Sequence, residues 1–297
     1  MKQNATAAKM AAVLFWKTVN IKSKINEATA ILETAGIAES RREAKSLLAF
    51  ALKKDQTFLF AHDDYDLTKT EQILFDTFIK RRSKREPFQH ITENQEFYGL
   101  DFFVSKDVLI PRPETELIVE TSLKNLAENS TFCEIGVGSG CISVSILHNL
   151  ISATAIGLDI SEKALKIAEI NAKTHNVSDR LTLKSSNVFS SLIVEKFDAI
   201  VSNPPYIASE TVSTLQPEVQ RFEPLNALTD GGNGLSVIET LIIESPKHLK
   251  PNGFLLIEIG FDQSETIRSF AEQSKLWSQI DFLPDLQGHL RVVFLRI

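Results

Sequence analysis

Cysteine is almost missing from this chain: Cys133 and Cys141 are the two in 297 residues, both beside a glycine-rich stretch. They build neither a disulfide framework nor a zinc pattern, which fits a reducing compartment such as the cytoplasm. The 6 histidines, His62, His90, His148, His175, His248 and His289, are scattered without ligand spacing, so no metal site is expected. No apolar run approaches the roughly 20 residues that cross a bilayer, so no membrane span is expected. Positive charge is in deficit, with 32 Lys and Arg against 38 Asp and Glu, a formal net charge of -6 and a pI near 5.6. That balance argues against a protein whose affinity comes mainly from neutralising nucleic-acid phosphates. Internal repeats and low-complexity segments are also lacking.

One cationic run, Lys80-Arg81-Arg82-Ser83-Lys84-Arg85, departs from this background. As the last turn of a helix it complements the helix dipole. Docking to RNA or an acidic partner is the sharper alternative. The apolar run Met10 to Trp16, preceded by Lys2 and Lys9, faintly suggests a signal peptide. It is short, ends at Lys17 and lacks a small-x-small cleavage site, so it reads as part of a helix or a loose extension over residues 1–20. What is present, 43% hydrophobic and 24% charged residues, is the composition of a globular chain long enough for two cores.

Changes of period divide the chain. Over residues 1–86, Ile25, Ala28, Leu32 and Ala35 share a helical face and Gly36 supplies a stop. Ser40-x-x-Glu43 and Thr68-x-x-Glu71 both carry capping-box spacing ahead of apolar residues at helical intervals. An all-α N-terminal domain with no catalytic constellation is expected. Residues 87–110 turn to short extended runs, with Tyr98-Gly99-Leu100-Asp101 as the turn of a hairpin linking two domains. Pro111-Arg112-Pro113 then opens a helix with Glu114 and Glu116 in its first turn. Residues 111–297 alternate strand and helix, which predicts a parallel sheet covered on both faces and closed by an antiparallel hairpin. The long loop from Ile207 to Asn233 suits a substrate clamp.

The chemistry concentrates at strand ends. Glu134-Ile135-Gly136-Val137-Gly138-Ser139-Gly140 falls at the first strand-to-helix turn, where glycines let the backbone bend and approach a ligand. A glycine triplet alone suits a nicotinamide cofactor or a tight turn. The G-x-G-x-G spacing with an acidic residue ahead of it resembles the S-adenosylmethionine loop, and that ligand's sulfonium and ammonium suit an electronegative Glu134. Asp159 ends the second strand, where it accepts from ribose hydroxyls or serves as an N-cap-like residue before Ser161. Asn187-Val188 follows the third strand, where related enzymes contact adenine, often with an Asp. Asn203-Pro204-Pro205-Tyr206 follows the apolar Ala199-Ile200-Val201-Ser202. A doubled proline cannot continue a strand, so Asn203 is held at the carboxyl end, where open α/β sheets bind ligands. Alone, the tetrapeptide is a surface turn or a catalytic motif; it resembles the N-P-P-Y of methyltransferases acting on planar amide or exocyclic amine nitrogens.

Taken in order, Phe102-Phe103-Val104, the segment from Leu109 to Glu116, the glycine loop, Asp159-Ile160-Ser161 and Ile200 to Ile207 form a set. Glu223 to Leu228, Gly231-Gly232-Asn233-Gly234-Leu235, Ile257-Glu258-Ile259-Gly260 and Asp285-Leu286-x-Gly288 continue it. Together they resemble the bacterial and organellar release-factor glutamine methyltransferases, over nearly the whole chain beyond the N-terminal extension. The resemblance implies an α/β, Rossmann-like class I methyltransferase sheet, with a small all-α N-terminal domain that docks the substrate and a linking β-hairpin. It implies S-adenosylmethionine as donor and S-adenosylhomocysteine as product, held by Glu134, Gly136, Val137, Gly138, Ser139, Gly140, Asp159, Asn187, Val188 and Asn203. The implied reaction methylates the glutamine N5 in the Gly-Gly-Gln loop of peptide chain release factors, in translation termination. A cytoplasmic monomer with a release factor as protein partner, and no direct nucleic-acid substrate, is expected.

In that reading Asn203, Pro204, Pro205 and Tyr206 are catalytic: the Asn203 oxygen and Pro204 carbonyl accept the two amide N–H groups, and Tyr206 stacks on the flat amide. Phe102 and the segment from Arg112 through Glu114 to Glu116 either wall the pocket or pack a domain junction. Glu258 is either catalytic or a strand-end residue bonded to backbone. The rival readings are an adenine-N6 methyltransferase of DNA or RNA, a ribosomal-protein glutamine methyltransferase and a non-catalytic cofactor-binding protein.

Overall fold

A computed structural model describes residues 19–297; the run Met10 to Trp16, with most of the expected extension, lies outside the described residues. The chain divides between Thr92 and Glu93 into two compact units. The first begins with α1 (Ile21–Thr34), capped by an Asn20 side chain that accepts from the Ser23 N–H. Its apolar stripe, Ile21, Ile25, Ala28 and Leu32, is buried, and Gly36 follows it with a φ of 75°.

In α2 (Ser40–Leu52) the expected capping box does not form. Glu43 instead pairs with Arg82 at 2.5 Å, and Ser40 donates to the Ile37 carbonyl. A carboxylate held by a buried guanidinium is not available to the helix start. After α3 (Gln56–Ala61), the second capping box is present at Thr68 and Glu71, ahead of α4 (Lys69–Arg82). Within the cationic run, Arg81 pairs with Glu86 at 2.6 Å, Arg82 with Glu43, and Arg85 donates to the Gly36 carbonyl at 2.6 Å. These charges brace the unit, Arg82 from a buried position. A short helix, α5 (Phe88–Thr92), stands where extended chain was expected.

The second unit opens with the hairpin β1 (Asn94–Phe97) and β2 (Leu100–Phe103). Its loop is tighter than expected: Leu100 and Asp101 already pair with Phe97 and Glu96. Only Tyr98 and Gly99 turn, both with positive φ, as a two-residue loop of matching twist requires. Phe97 and Phe102 are buried in the core of this unit, their rings edge to face at 6.0 Å. The stretch expected as a linker is thus part of a packed body.

A 3-10 turn over Pro113–Thr115 leads into α6 (Glu116–Asn125). Seven strands follow: β3 (Thr131–Ile135), β4 (Thr154–Asp159), β5 (Leu181–Ser185), β6 (Phe197–Ser202), β7 (Leu249–Glu258), β8 (Gln279–Pro284) and β9 (Leu290–Arg296). They lie in the order β5-β4-β3-β6-β7-β9-β8, with β9 antiparallel to both its neighbours. Both faces are covered. Phe132, Ala199, Val201 and Leu256 pack with α6 and α7 (Cys141–Asn149), while Cys133, Ile200, Leu255 and Ile257 pack on the other face. That burial is why the strands read as unbroken apolar runs. This is a Rossmann-like α/β sheet. Its remaining long helices are α8 (Glu162–Thr174), then α11 (Ser236–Glu244) and α12 (Ser264–Ser274). The expected long loop carries a 3-10 turn (Ser209–Thr214) and two short helices, α9 (Pro217–Phe222) and α10 (Leu225–Leu228).

Arg82→Ala strands the Glu43 carboxylate in a largely buried position. It is expected to destabilise the first unit by about 3 kcal/mol, measured as a shift in its urea unfolding transition.

Candidate active site

Strand order reverses between β3 and β6: the chain runs outward from β3 through β4 to β5, and from β6 in the other direction to β7. The register pairs Ile135 with Ser202, so the two strands end level. The Ser202 hydroxyl fastens them by donating to the Ile135 carbonyl at 2.8 Å. Gly136 and Asn203 therefore leave the sheet side by side; a Cβ on Gly136 would stand 3.9 Å from the Asn203 carbonyl oxygen. Over these ends lies a cleft of about 360 Å³, lined by residues 134–139, Asp159, Asn187, Val188, Asn203, Pro205 and Arg112 among others.

Gly140, Phe102, Glu114, Pro204 and Tyr206 lie outside that lining. Gly140 starts α7 with a φ of 82°, where an added Cβ would press on Ala168 Cβ at 3.2 Å. Its place is the close approach of α7 and α8. Phe102 is fully buried beneath the hairpin, 5.1 Å from the His175 ring, so it is a core residue and not a wall of the cleft. Glu114 is half-buried in the 3-10 turn. Arg112 reaches the buried Glu223 at 2.6 Å and so ties the Pro111 segment to the end of α9.

The glycine loop is held from inside. Gly136 and Val137 both donate to the Leu158 carbonyl, at 2.8 and 2.9 Å. The Gly138 N–H donates to Asp159 Oδ2 at 2.9 Å, and Ser161 N–H to Oδ1 at 2.8 Å. Asp159 thus braces both the loop and the start of α8 while facing the cleft; burial pushes its carboxyl up, against these bonds. Glu134, 1% exposed, accepts from the Ser143 N–H at 2.9 Å and from the Ser143 hydroxyl. Burial nevertheless pushes it up to about 8. Cys141 also lines the cleft, but burial raises its thiol and leaves it protonated and inert. Val188 holds a φ of 50°, unusual for a β-branched residue, with its carbonyl accepting from the Ser186 hydroxyl at 2.8 Å.

Behind Asn203 runs a chain of hydrogen bonds. Asn203 Nδ2 donates to Thr115 Oγ1 at 3.0 Å, and Thr115 Oγ1 donates to Glu258 Oε2 at 2.6 Å. The Tyr206 hydroxyl donates to Glu258 Oε1 at 3.1 Å. Tyr206 is therefore anchored at its tip. Glu258 departs from expectation: side chains, not backbone, meet its carboxylate. Burial and the neighbouring Glu258 push the Tyr206 phenol up, so it stays a donor.

The chemistry this permits is specific. Glycines bring bare backbone against a ligand; Asp159 offers acceptors to hydroxyls; a buried Glu134 suits a cation; Asn203 presents an amide at the same cleft. These residues fit an S-adenosylmethionine-sized, cationic, ribose-bearing group.

Residues 24–92 match the PrmC N-terminal domain and residues 113–233 the methyltransferase small domain. A release factor glutamine methyltransferase from Geobacter sulfurreducens is 40% identical over 236 residues, covering 80% of this chain and 82% of the relative. Its namesake from Koribacter versatilis is 37% identical over 279 residues, covering 93% and 98%. The chain belongs to the release factor glutamine methyltransferase family. A methyltransferase from Pyrococcus furiosus, at a TM-score of 0.52, 18% identity and coverage of 73% of this chain and 98% of that one, shares the class I methyltransferase fold.

Several residues that build the site in this family member carry no sequence signal of their own. Asn171, fully buried on α8, accepts from the Phe103 N–H and donates to the Phe103 and Ser139 carbonyls, joining the hairpin to the glycine loop. Gln263 donates to the Tyr206 carbonyl at 2.9 Å. Thr115 and Glu258 each lie in a motif, but their pairing across 143 residues carries no local signal. Long-range pairing of this kind leaves no local periodicity.

Two expectations follow from this geometry. At Gly234, φ is 79° and an added Cβ would stand 2.1 Å from the Tyr206 carbonyl oxygen. Gly234→Ala should destabilise the second unit by about 2 kcal/mol in thermal unfolding and distort the Asn203 turn. Glu134 titrates near 8 when folded, against 4.5 as an ordinary carboxyl. A bound ammonium favours the ionised form, so S-adenosylhomocysteine affinity should rise with pH up to about 8, with proton release below it. The unliganded protein, conversely, keeps this contribution to stability fully below pH 4.5 and loses it as pH rises through 8. Glu134→Gln should flatten both profiles in calorimetry; unchanged profiles would assign the titration elsewhere.

Proposed function

We propose that this enzyme transfers a methyl group from S-adenosylmethionine to N5 of the glutamine side chain in the Gly-Gly-Gln loop of peptide chain release factors. The supporting observation is the Asn203 amide: it stands beside the glycine loop, with Nδ2 committed to Thr115 and Oδ1 left as acceptor. Relatives named release factor glutamine methyltransferase support the choice of a release-factor glutamine as acceptor.

S-Adenosylmethionine supplies the electrophilic methyl. Glu134, Gly136, Val137, Gly138 and Ser139, which line the cleft, would hold it, with Asp159 to accept from its ribose hydroxyls and Asn187 and Val188 to meet its adenine. A primary amide nitrogen is a poor nucleophile because its lone pair is delocalised into the carbonyl. Asn203 Oδ1 accepts one substrate N–H, and the Pro204 carbonyl, fixed in direction by its ring, accepts the other. Drawing both hydrogens out of the amide plane frees the lone pair to face the methyl. Pro205 walls the cleft, while Tyr206, anchored on Glu258, braces the turn from behind. Orientation of this kind is worth on the order of 7–11 kcal/mol of a barrier. The amide proton becomes acidic once the nitrogen is alkylated, so no strong base is required.

The first unit docks the protein substrate; its Phe60 and Ile73 side chains are exposed. Among the described residues no helix is long and apolar enough to cross a membrane. We place the enzyme in the cytoplasm, acting as a monomer.

Incubation with radiolabelled S-adenosylmethionine and a release factor, a ribosomal protein or DNA, followed by mapping of the label, tests the assignment. Label is expected on the Gly-Gly-Gln glutamine; label on DNA alone would refute it. Asn203→Ala should bind S-adenosylhomocysteine normally yet lose about 100- to 1,000-fold in turnover.

A further inference from the structure

We infer that Thr115 and Glu258 are positioning residues that set the sense of the Asn203 amide, so that an acceptor oxygen and not an NH₂ group faces the cleft. This rests on the reading of Asn203 as the acceptor for a substrate N–H.

The sense follows from counting protons. An ionised carboxylate only accepts, and each hydroxyl has one proton to give. Glu258 takes the Tyr206 proton on Oε1 and the Thr115 proton on Oε2. Having donated, Thr115 Oγ1 can only accept from its other neighbour, and the amide atom 3.0 Å away is Asn203 Nδ2. An amide that donates through nitrogen turns its oxygen the other way. Thr115 and Glu258 are each 1% exposed, so the chain is shielded from bulk solvent. Were the group at position 258 a donor, the Thr115 proton would be free to point at Asn203. The amide would then gain by turning over, and the cleft would present N–H against N–H. The carboxylate therefore acts through an intervening hydroxyl on a group it does not touch. Burial pushes the Glu258 carboxyl up, against the bonds from Thr115 and Tyr206, so the sense set here is that of its ionised form.

Three full-chain variants test this: Thr115→Val, which keeps the shape and loses the hydroxyl, Thr115→Ser, which restores it, and Glu258→Gln. For Thr115→Val, kcat with release factor should fall about 100-fold, the scale of a misplaced reacting group, with KM and S-adenosylhomocysteine affinity nearly unchanged. Thr115→Ser should recover most of the loss. A role in packing alone predicts instead a lowered melting temperature and no selective loss of kcat. Should Thr115→Val fail to fold, the same split is expected of Glu258→Gln. A folded, cofactor-binding Thr115→Val or Glu258→Gln with native kcat overturns the inference. Solvent exchange of the Asn203 side-chain NH₂, followed by NMR, gives a readout free of substrate. It should be about 10-fold faster in Thr115→Val than in the native chain, and equal rates would also overturn it. If the native protein methylates no release factor, the substrate assignment falls and the exchange rates still decide this point.

Discussion

Ile135 pairs with Ser202 across β3 and β6, and that register governs what the carboxyl edge of the sheet can hold. The glycine loop and the Asn203 turn come from segments far apart in sequence, yet each begins one residue beyond the same rung. The rung is enforced from a distance by the core. Phe132 and Ala199 face one layer of helices while Cys133 and Ile200 face the other, so a slip of one residue would turn both strands inside out. The site inherits its geometry from apolar packing on both sides of a sheet, and the polar residues refine it.

Those polar residues have a common character. Glu134, Glu223 and Glu258 are buried carboxylates, each with its acidity weakened by burial and each supported by a small set of donors. Ser143 serves the first, Arg112 the second, Thr115 and Tyr206 the third. Buried acceptors cost stability unless satisfied, and in return they fix the direction of every donor around them. The arrangement trades folding free energy for orientation, as residues at functional sites commonly do.

Much of this was legible in the chain. The strand ends, the glycine loop, Asp159 and the Asn203 turn declare themselves through local chemistry: glycine for positive φ, proline to end a strand, alternating strand and helix for a parallel sheet. Where sequence reasoning fell short, a long-range partner had overridden a local signal. Ser40-x-x-Glu43 has the spacing of a capping box, but Arg82 claims the glutamate. Phe102 belongs to a motif beside the cleft, yet the apolar face of the hairpin draws it into the core. Glu258 in an apolar strand suggested backbone bonds because its true partners, Thr115 and Tyr206, lie on other segments. Asn171 went unnoticed because a lone asparagine in a helix carries no pattern.

That asparagine has a consequence of its own. Its amide holds β2 by both backbone groups of Phe103 and the glycine loop by the Ser139 carbonyl, within one fully buried side chain. The hairpin and the ligand loop therefore shift together or not at all. Thermodynamic linkage makes such a connection symmetric: whatever a bound ligand does to the affinity of a macromolecule for the hairpin, that macromolecule does by the same factor to the affinity for the ligand. The strength of any such coupling is then set in the core, by one amide group outside the cleft lining.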